Sequence, residues 1–205
     1  MKMSFSTGQR YALLAGILTL LVWTGCKTME ESPPDSMPSY DIEALERSIH
    51  RQVNEERRAN GRELLKWSDD LARVSRAHSQ DMVERDFYAH VNPDDQSPTE
   101  RGEEVGVSCS TVVDNPQTGG IAENINWVSA LDVVHTTRSG EEKYEWYTAD
   151  EIADEVVQEW MRSPGHRRNM LHESNQAEGI GVAMKRSGEF EESGDFRVLV
   201  TQTFC

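Results

Sequence analysis

The chain has 205 residues, enough for one ordinary domain with appendages, and its 37% hydrophobic content can fill a core without supplying several membrane spans. Acids outnumber bases by 36 to 21, for a formal net charge of −15. Such a surface repels polyanions and argues against nucleic-acid binding through phosphate neutralisation. The acids are spread along the chain rather than gathered in one tail. That fits a halophilic protein, whose self-repulsion is screened in a salty medium, or an ordinary acidic secreted protein.

Residues 1–26 read as an export signal. Lys2 and Arg10 make a basic start without an acid, and Tyr11 to Trp23 is apolar apart from Gly16 and Thr19. That run is shorter than the about 20 apolar residues of a bilayer-spanning helix, and it has the signal-peptide pattern. Thr24-Gly25-Cys26 resembles the end of a lipobox, although Trp23 stands where Leu is usual. Cys26 is therefore the expected lipidation site, giving a membrane-anchored lipoprotein outside the cytoplasm or a secreted one. Three cysteines then leave an even pair, Cys109 and Cys205, expected to form a disulfide in an oxidising compartment. Residues 27–39, rich in Ser, Pro and Met, read as a linker to a domain over 40–205.

Within that domain, Ile42, Leu45, Ile49 and Val53 recur at helical spacing, and Asn60-Gly61 stops the helix. Ser68 is placed as the N-cap of a second helix with Leu71, Val74, His78 and Met82 on one side. Ser97-Pro98-Thr99-Glu100 is a capping box, and Thr148-Ala149-Asp150-Glu151 is another. The second box starts a helix with Ile152, Val156 and Trp160 inward, broken near Ser163-Pro164. Val107 to Gly120 reads as a loop holding Cys109. Gly179 to Met184 and Phe196 to Phe204 read as a hairpin across a polar turn, Gly188 to Asp195. Helices followed by a helix and a hairpin predict an α+β fold, with a small sheet covered by helices.

Three segments carry candidate chemistry. His90 lies in the turn-forming stretch Ala89-His90-Val91-Asn92-Pro93, Glu123 in Ala122-Glu123-Asn124-Ile125, and His166 just past the Pro164-Gly165 break. Two imidazoles and a carboxylate suit a divalent ion such as zinc, or a proton-handling cluster. Their separation in sequence leaves open whether they meet or each simply satisfies a turn or helix end.

Taken in order, these segments resemble the prokaryotic form of the CAP superfamily, the cysteine-rich secretory, antigen-five and pathogenesis-related group. The likeness includes Asn54-Glu55-Glu56-Arg57, Leu65-Lys66-Trp67-Ser68, the His90 loop, Ala122-Glu123-Asn124-Ile125, Trp160 to Leu171 and Gly179-Ile180-Gly181-Val182. The resemblance implies an α-β-α sandwich with a mostly antiparallel sheet. It also implies a cleft whose two His and two Glu can bind a divalent metal, zinc above all. His90, Glu123 and His166 match three of these; Ser163 stands at the position taken for the second Glu. Asn124 and Asn169 match positions expected to brace the cleft.

Among the remaining candidates, His78 reads as a buried core histidine, and His50, His135 and His172 as surface or turn residues. Trp67, Trp127 and Trp160 read as core, and Arg57 and Arg162 as partners of nearby acids. Glu189, Glu191 and Glu192 form a solvated turn. The expected function is a cleft that binds a small molecule, lipid or surface partner, motivated by the lack of a convincing nucleophile–base pair. The alternatives are a metal-assisted hydrolase or peptidase using His90, Glu123 and His166, and a structural surface protein without cleft activity.

Overall fold

The computed structural model describes residues 38–109, 120–140, 142–185 and 196–205. The signal segment with Cys26, most of the linker and the acidic turn 188–195 lie outside the described residues. So do the central residues of the Cys109 loop.

Helix α1 (Ile42–Ala59) starts where the Asp41 carboxylate accepts from the Ala44 amide and ends at Asn60, followed by Gly61 at φ 67°. Strand β1 (Lys66–Trp67) leads into α2 (Asp69–Glu84), whose first turn is capped by the Ser68 hydroxyl. Helix α3 (Pro98–Glu104) opens with the reciprocal Ser97–Glu100 box. Strands β2 (Ala122–Ser129), β3 (Leu131–Thr136) and β4 (Glu142–Trp146) follow. Helix α4 (Ala149–Arg162) begins with the Thr148–Glu151 box. The Ser163-Pro164 break is immediate but not final: Pro164 becomes the first residue of α5 (Pro164–Met170). Strands β5 (Ala177–Lys185) and β6 (Arg197–Phe204) complete the order.

The main sheet runs β1-β5-β6-β2, with β1 parallel to β5 and the other pairs antiparallel; β3 and β4 form a separate hairpin. Strand alternation sends Val198, Val200 and Phe204 into one core with Leu45, Ile49 and Val53 of α1 and Val156 and Trp160 of α4. Truncating a side chain such as the fully buried Trp160 costs about 3–5 kcal/mol. Leu199 faces the other way and packs with Met82 and Ile125. Helices on both faces of a mostly antiparallel sheet give the expected α-β-α sandwich.

The two faces are packed by different means. Helix α2 lies on bare backbone: a Cβ on Gly179 would stand 2.0 Å from the Ala72 amide nitrogen, and one on Gly181 2.0 Å from that of Arg76. The closeness lets the Ser75 and Ser79 hydroxyls donate to the Gly179 and Gly181 carbonyls at 2.9 and 2.8 Å. Thr203 and Thr201 bond the same two serines from β6. Cys109 and Cys205 form the expected disulfide, which ties the end of the chain to the loop after α3.

Candidate functional site

Strand β2 lies at the edge of the sheet and carries Glu123 and Asn124 on its opposite faces. Glu123 sits opposite Thr203 and turns toward α2; Asn124 sits opposite Gln202 and turns toward α5. The outer carbonyls of this edge are covered by side chains: Asn169 Nδ2 donates to Glu123 O at 3.3 Å, and the Tyr88 hydroxyl to Ile125 O at 3.1 Å. Such covering removes the hazard of an open strand edge.

The Glu123 side chain is 1% exposed, and both of its oxygens are engaged. Oε1 accepts from His90 Nδ1 at 2.9 Å, and Oε2 from Arg101 Nη2 at 2.5 Å. His78 Nε2 is 3.8 Å from Oε1 and donates to Ala89 O at 3.0 Å. The His90 loop is held from below. The Asn92 side-chain oxygen accepts from the Asp94 and Gln96 amides, and Arg101 Nη1 donates to the His90 and Gln96 carbonyls. In the neutral ring Nδ1 donates its proton to the Glu123 carboxylate, which leaves the Nε2 lone pair as an acceptor on a half-exposed side chain.

His166 enters from α5, in that helix's first turn. Burial, followed by the neighbouring His90, pushes its pKa below the usual imidazole value, so the ring is neutral at pH 7. Asn124 anchors this helix: its Nδ2 donates to His166 O at 3.2 Å, and its Oδ1 accepts from Asn169 Nδ2 at 2.9 Å. The structure thus groups His90 with Glu123, sets His166 close enough to feel His90, and places Asn124 and Asn169 as braces. Ser163 is the C-cap of α4 and the N-cap of α5; its side chain makes no capping hydrogen bond to α5.

Arg101 is the site residue that the sequence reading passed over. The capping box fixes the turn that carries it, but nothing in the sequence says that this turn folds over Glu123. His78 is buried as expected, and burial lowers its pKa against the opposing pull of Glu123. Three expectations need correction. His50 is no surface residue: its Nδ1 lies 2.6 Å from Glu178 Oε1, and that carboxylate is fully buried. Arg57 does not pair with an acid in the expected way but donates to the carbonyls of Glu63, Met170, His172 and Asn175. Trp127 is 42% exposed, with the Arg197 guanidinium 4.6 Å from its ring centroid. Trp67 packs against the main core as expected, with the Arg47 guanidinium 3.9 Å from its ring centroid. Arg162 pairs with Glu159 as expected.

Residues 50–204 match the profile of the cysteine-rich secretory protein family, CAP. The chain belongs to the CAP family. It is 25% identical over 154 residues to the uncharacterized protein YkwD of Bacillus subtilis, a match covering 75% of this chain and 48% of that protein. The chain thus spans about half the length of this curated CAP relative. A crystal structure of an extracellular SCP-domain protein from Bacillus anthracis shares the fold, with TM-score 0.54 and 22% identity over 82% of this chain and 44% of that one. An outer surface protein of Borrelia burgdorferi aligns with TM-score 0.53 and 13% identity, over 82% of this chain and 98% of that one.

Glu123 is not a free ligand for a divalent ion. Arg101 occupies one Glu123 oxygen with a fixed positive charge, and the His90 N–H occupies the other. Zinc would have to displace a buried guanidinium and meet its repulsion. Among the described residues, no three His, Cys, Asp or Glu come together as a metal-binding group.

Proposed function

We propose that this CAP protein works outside the cytoplasm, anchored through a lipid on Cys26, and uses its cleft to bind a small molecule, lipid or surface partner. One observation carries the reading. Glu123 is wholly engaged in holding His90 and Arg101, so the half-exposed His90 ring offers Nε2 as an acceptor beside the neutral His166. The names of the two structural relatives, an extracellular protein and an outer surface protein, agree with a location beyond the membrane.

Hydrolysis of casein and of a p-nitrophenyl ester, together with zinc content by elemental analysis, tests the cleft. The expected result is no turnover and no stoichiometric zinc. Turnover that disappears in both His90→Ala and His166→Ala would replace binding with catalysis. The anchor has its own test: wild type should take up labelled palmitate and sediment with membranes, and Cys26→Ser should do neither. An unlabelled wild-type chain ends the lipoprotein reading and leaves the cleft untouched.

A further inference from the structure

A cavity of about 280 Å³ lies at the far end of β2, against α4. Trp127, Val128 and Leu131 give it an apolar side, and Tyr147, Glu155 and Glu159 a polar one. Trp127 stands four residues along the strand from Glu123, about 14 Å at the usual rise per residue, so the cavity is separate from the cleft. Its walls are within reach of a ligand. Trp127 is 42% exposed, and the side chains of Glu155 and Glu159 are 49% and 46% exposed.

Charge and ring together favour a cation. The Tyr147 phenol is held above its usual pKa, first by donating to Asp132 and then by the charges of Asp132, Glu155 and Glu151. With Glu159 that makes four carboxylates around the cavity, against two guanidiniums. Arg162 lies 2.6 Å from Glu159 and 3.8 Å from Glu155, and Arg197 lies over the Trp127 ring, 4.6 Å from its centroid. The indole thus already draws one cation to its π face, and Arg197 does not line the cavity.

Hydrogen bonding narrows the class. Glu159 already accepts from Arg162, and the Tyr147 hydroxyl already donates to Asp132. What the walls offer is negative charge beside an aromatic ring and two aliphatic side chains. That suits a cation wrapped in methyl groups, which needs no hydrogen bond of its own. An anion meets repulsion there, and an uncharged ligand leaves the carboxylates unanswered.

We propose that this cavity binds a quaternary ammonium group, with its methyl groups against Trp127 and Leu131 and its charge beside Glu155 and Glu159. The site stands whether or not the cleft reading holds.

Equilibrium dialysis of the full-length protein against radiolabelled choline tests it. Saturable binding in the millimolar range is expected at low salt, weakening as added salt screens the carboxylates. The uncharged analogue of choline, with a tert-butyl group in place of the trimethylammonium, should not compete. Ethanolamine, the primary amine, should compete at least about fivefold less well than choline. Trp127→Leu keeps apolar bulk and removes the aromatic ring, and the double change Glu155→Gln with Glu159→Gln removes the charge. All three positions are exposed, so thermal unfolding should match wild type, and each variant should bind choline at least about fivefold more weakly. No saturable binding, equal competition by the uncharged analogue or by ethanolamine, or unchanged affinity in either variant would overturn the proposal.

Discussion

Two buried carboxylates stand on opposite faces of the sheet, each holding an imidazole, yet the two pairs are finished differently. Glu178 lies opposite Phe204 on β6 and faces α1; Glu123 lies opposite the adjacent Thr203 and faces α2. Glu178 takes His50 Nδ1 on one oxygen and Gln202 Nε2 on the other, at 2.6 and 2.5 Å. The second nitrogen of His50 then receives the Asn54 amide, and Trp67 packs edge-on against the ring. Every polar atom of that pair is used, and the His50 side chain is 19% exposed. On the other face the second nitrogen of His90 remains open, and the ring is 49% exposed. The same chemical unit serves as a closed brace at one place and an open acceptor at the other, and what differs is whether neighbours close the imidazole.

The sharpest way to break the comparison is to remove each carboxylate in turn. Glu178→Ala should cost about 3–5 kcal/mol, because it strands His50 and Gln202 in the interior and takes away a negative charge near the buried Arg57. Urea denaturation measures it, and the His90 ring resonances should stay in place. Glu123→Gln keeps the shape and loses the charge that Arg101 pairs with, so its cost should be smaller, about 1–3 kcal/mol. The signature there is local: the His90 ring resonances, which Glu178→Ala leaves in place, should shift. Equal costs with no change in His90 would make both pairs mere braces.

A finer cut asks how far the closed pair reaches along its own face. Gln202 accepts from Asn124 through Oε1 at 2.9 Å while its amide holds Glu178, so a hydrogen-bonded line runs from His50 across strands β5, β6 and β2 to α5. A double-mutant cycle between Glu178→Gln and Asn169→Ala should show a coupling of about 0.5–1 kcal/mol, carried through Gln202 and Asn124. Simple additivity would cut the line.

Much of this frame was legible in the sequence, because capping chemistry is local. Ser68, Ser97 with Glu100, and Thr148 with Glu151 start helices where their side chains predict. The candidate site was legible only through family resemblance, since His90, Glu123 and His166 sit on separate elements. Strand β2 itself was hidden: Asn124 and Asn126 point to the side where alternation asks for apolar residues. Asn124 is fully buried there only because Gln202, Asn169 and the His166 carbonyl satisfy it. Arg101 and Arg57 look like ordinary surface charges in a helical pattern. Their burial depends on carbonyls and carboxylates supplied by distant segments, which no local rule reports. The resemblance singled out Ser163 for the acid it lacks, whereas it is Arg101 that stands beside Glu123.

The smallest effect concerns acid. His78 and His166 both have pKa values lowered chiefly by burial. An imidazole with a lowered folded-state value binds its proton more weakly folded than unfolded. As the pH falls below the usual value of about 6.5, the unfolded chain takes up the proton first, and stability declines until the folded ring is protonated too. Stability should therefore be full above that value and drop just below it. The exposed Glu100 and Glu151 capping boxes act in a lower window. Hydrogen bonds from Ser97 and Thr148 hold these carboxylates below the usual range, so their contribution is lost only once they too are protonated. Urea midpoints taken through this range should show the decline in wild type and a shallower one in His166→Asn, which has no ring to protonate. A decline of the same depth in that variant would place the acid sensitivity in His78 alone and remove His166 from the list of buried neutral groups.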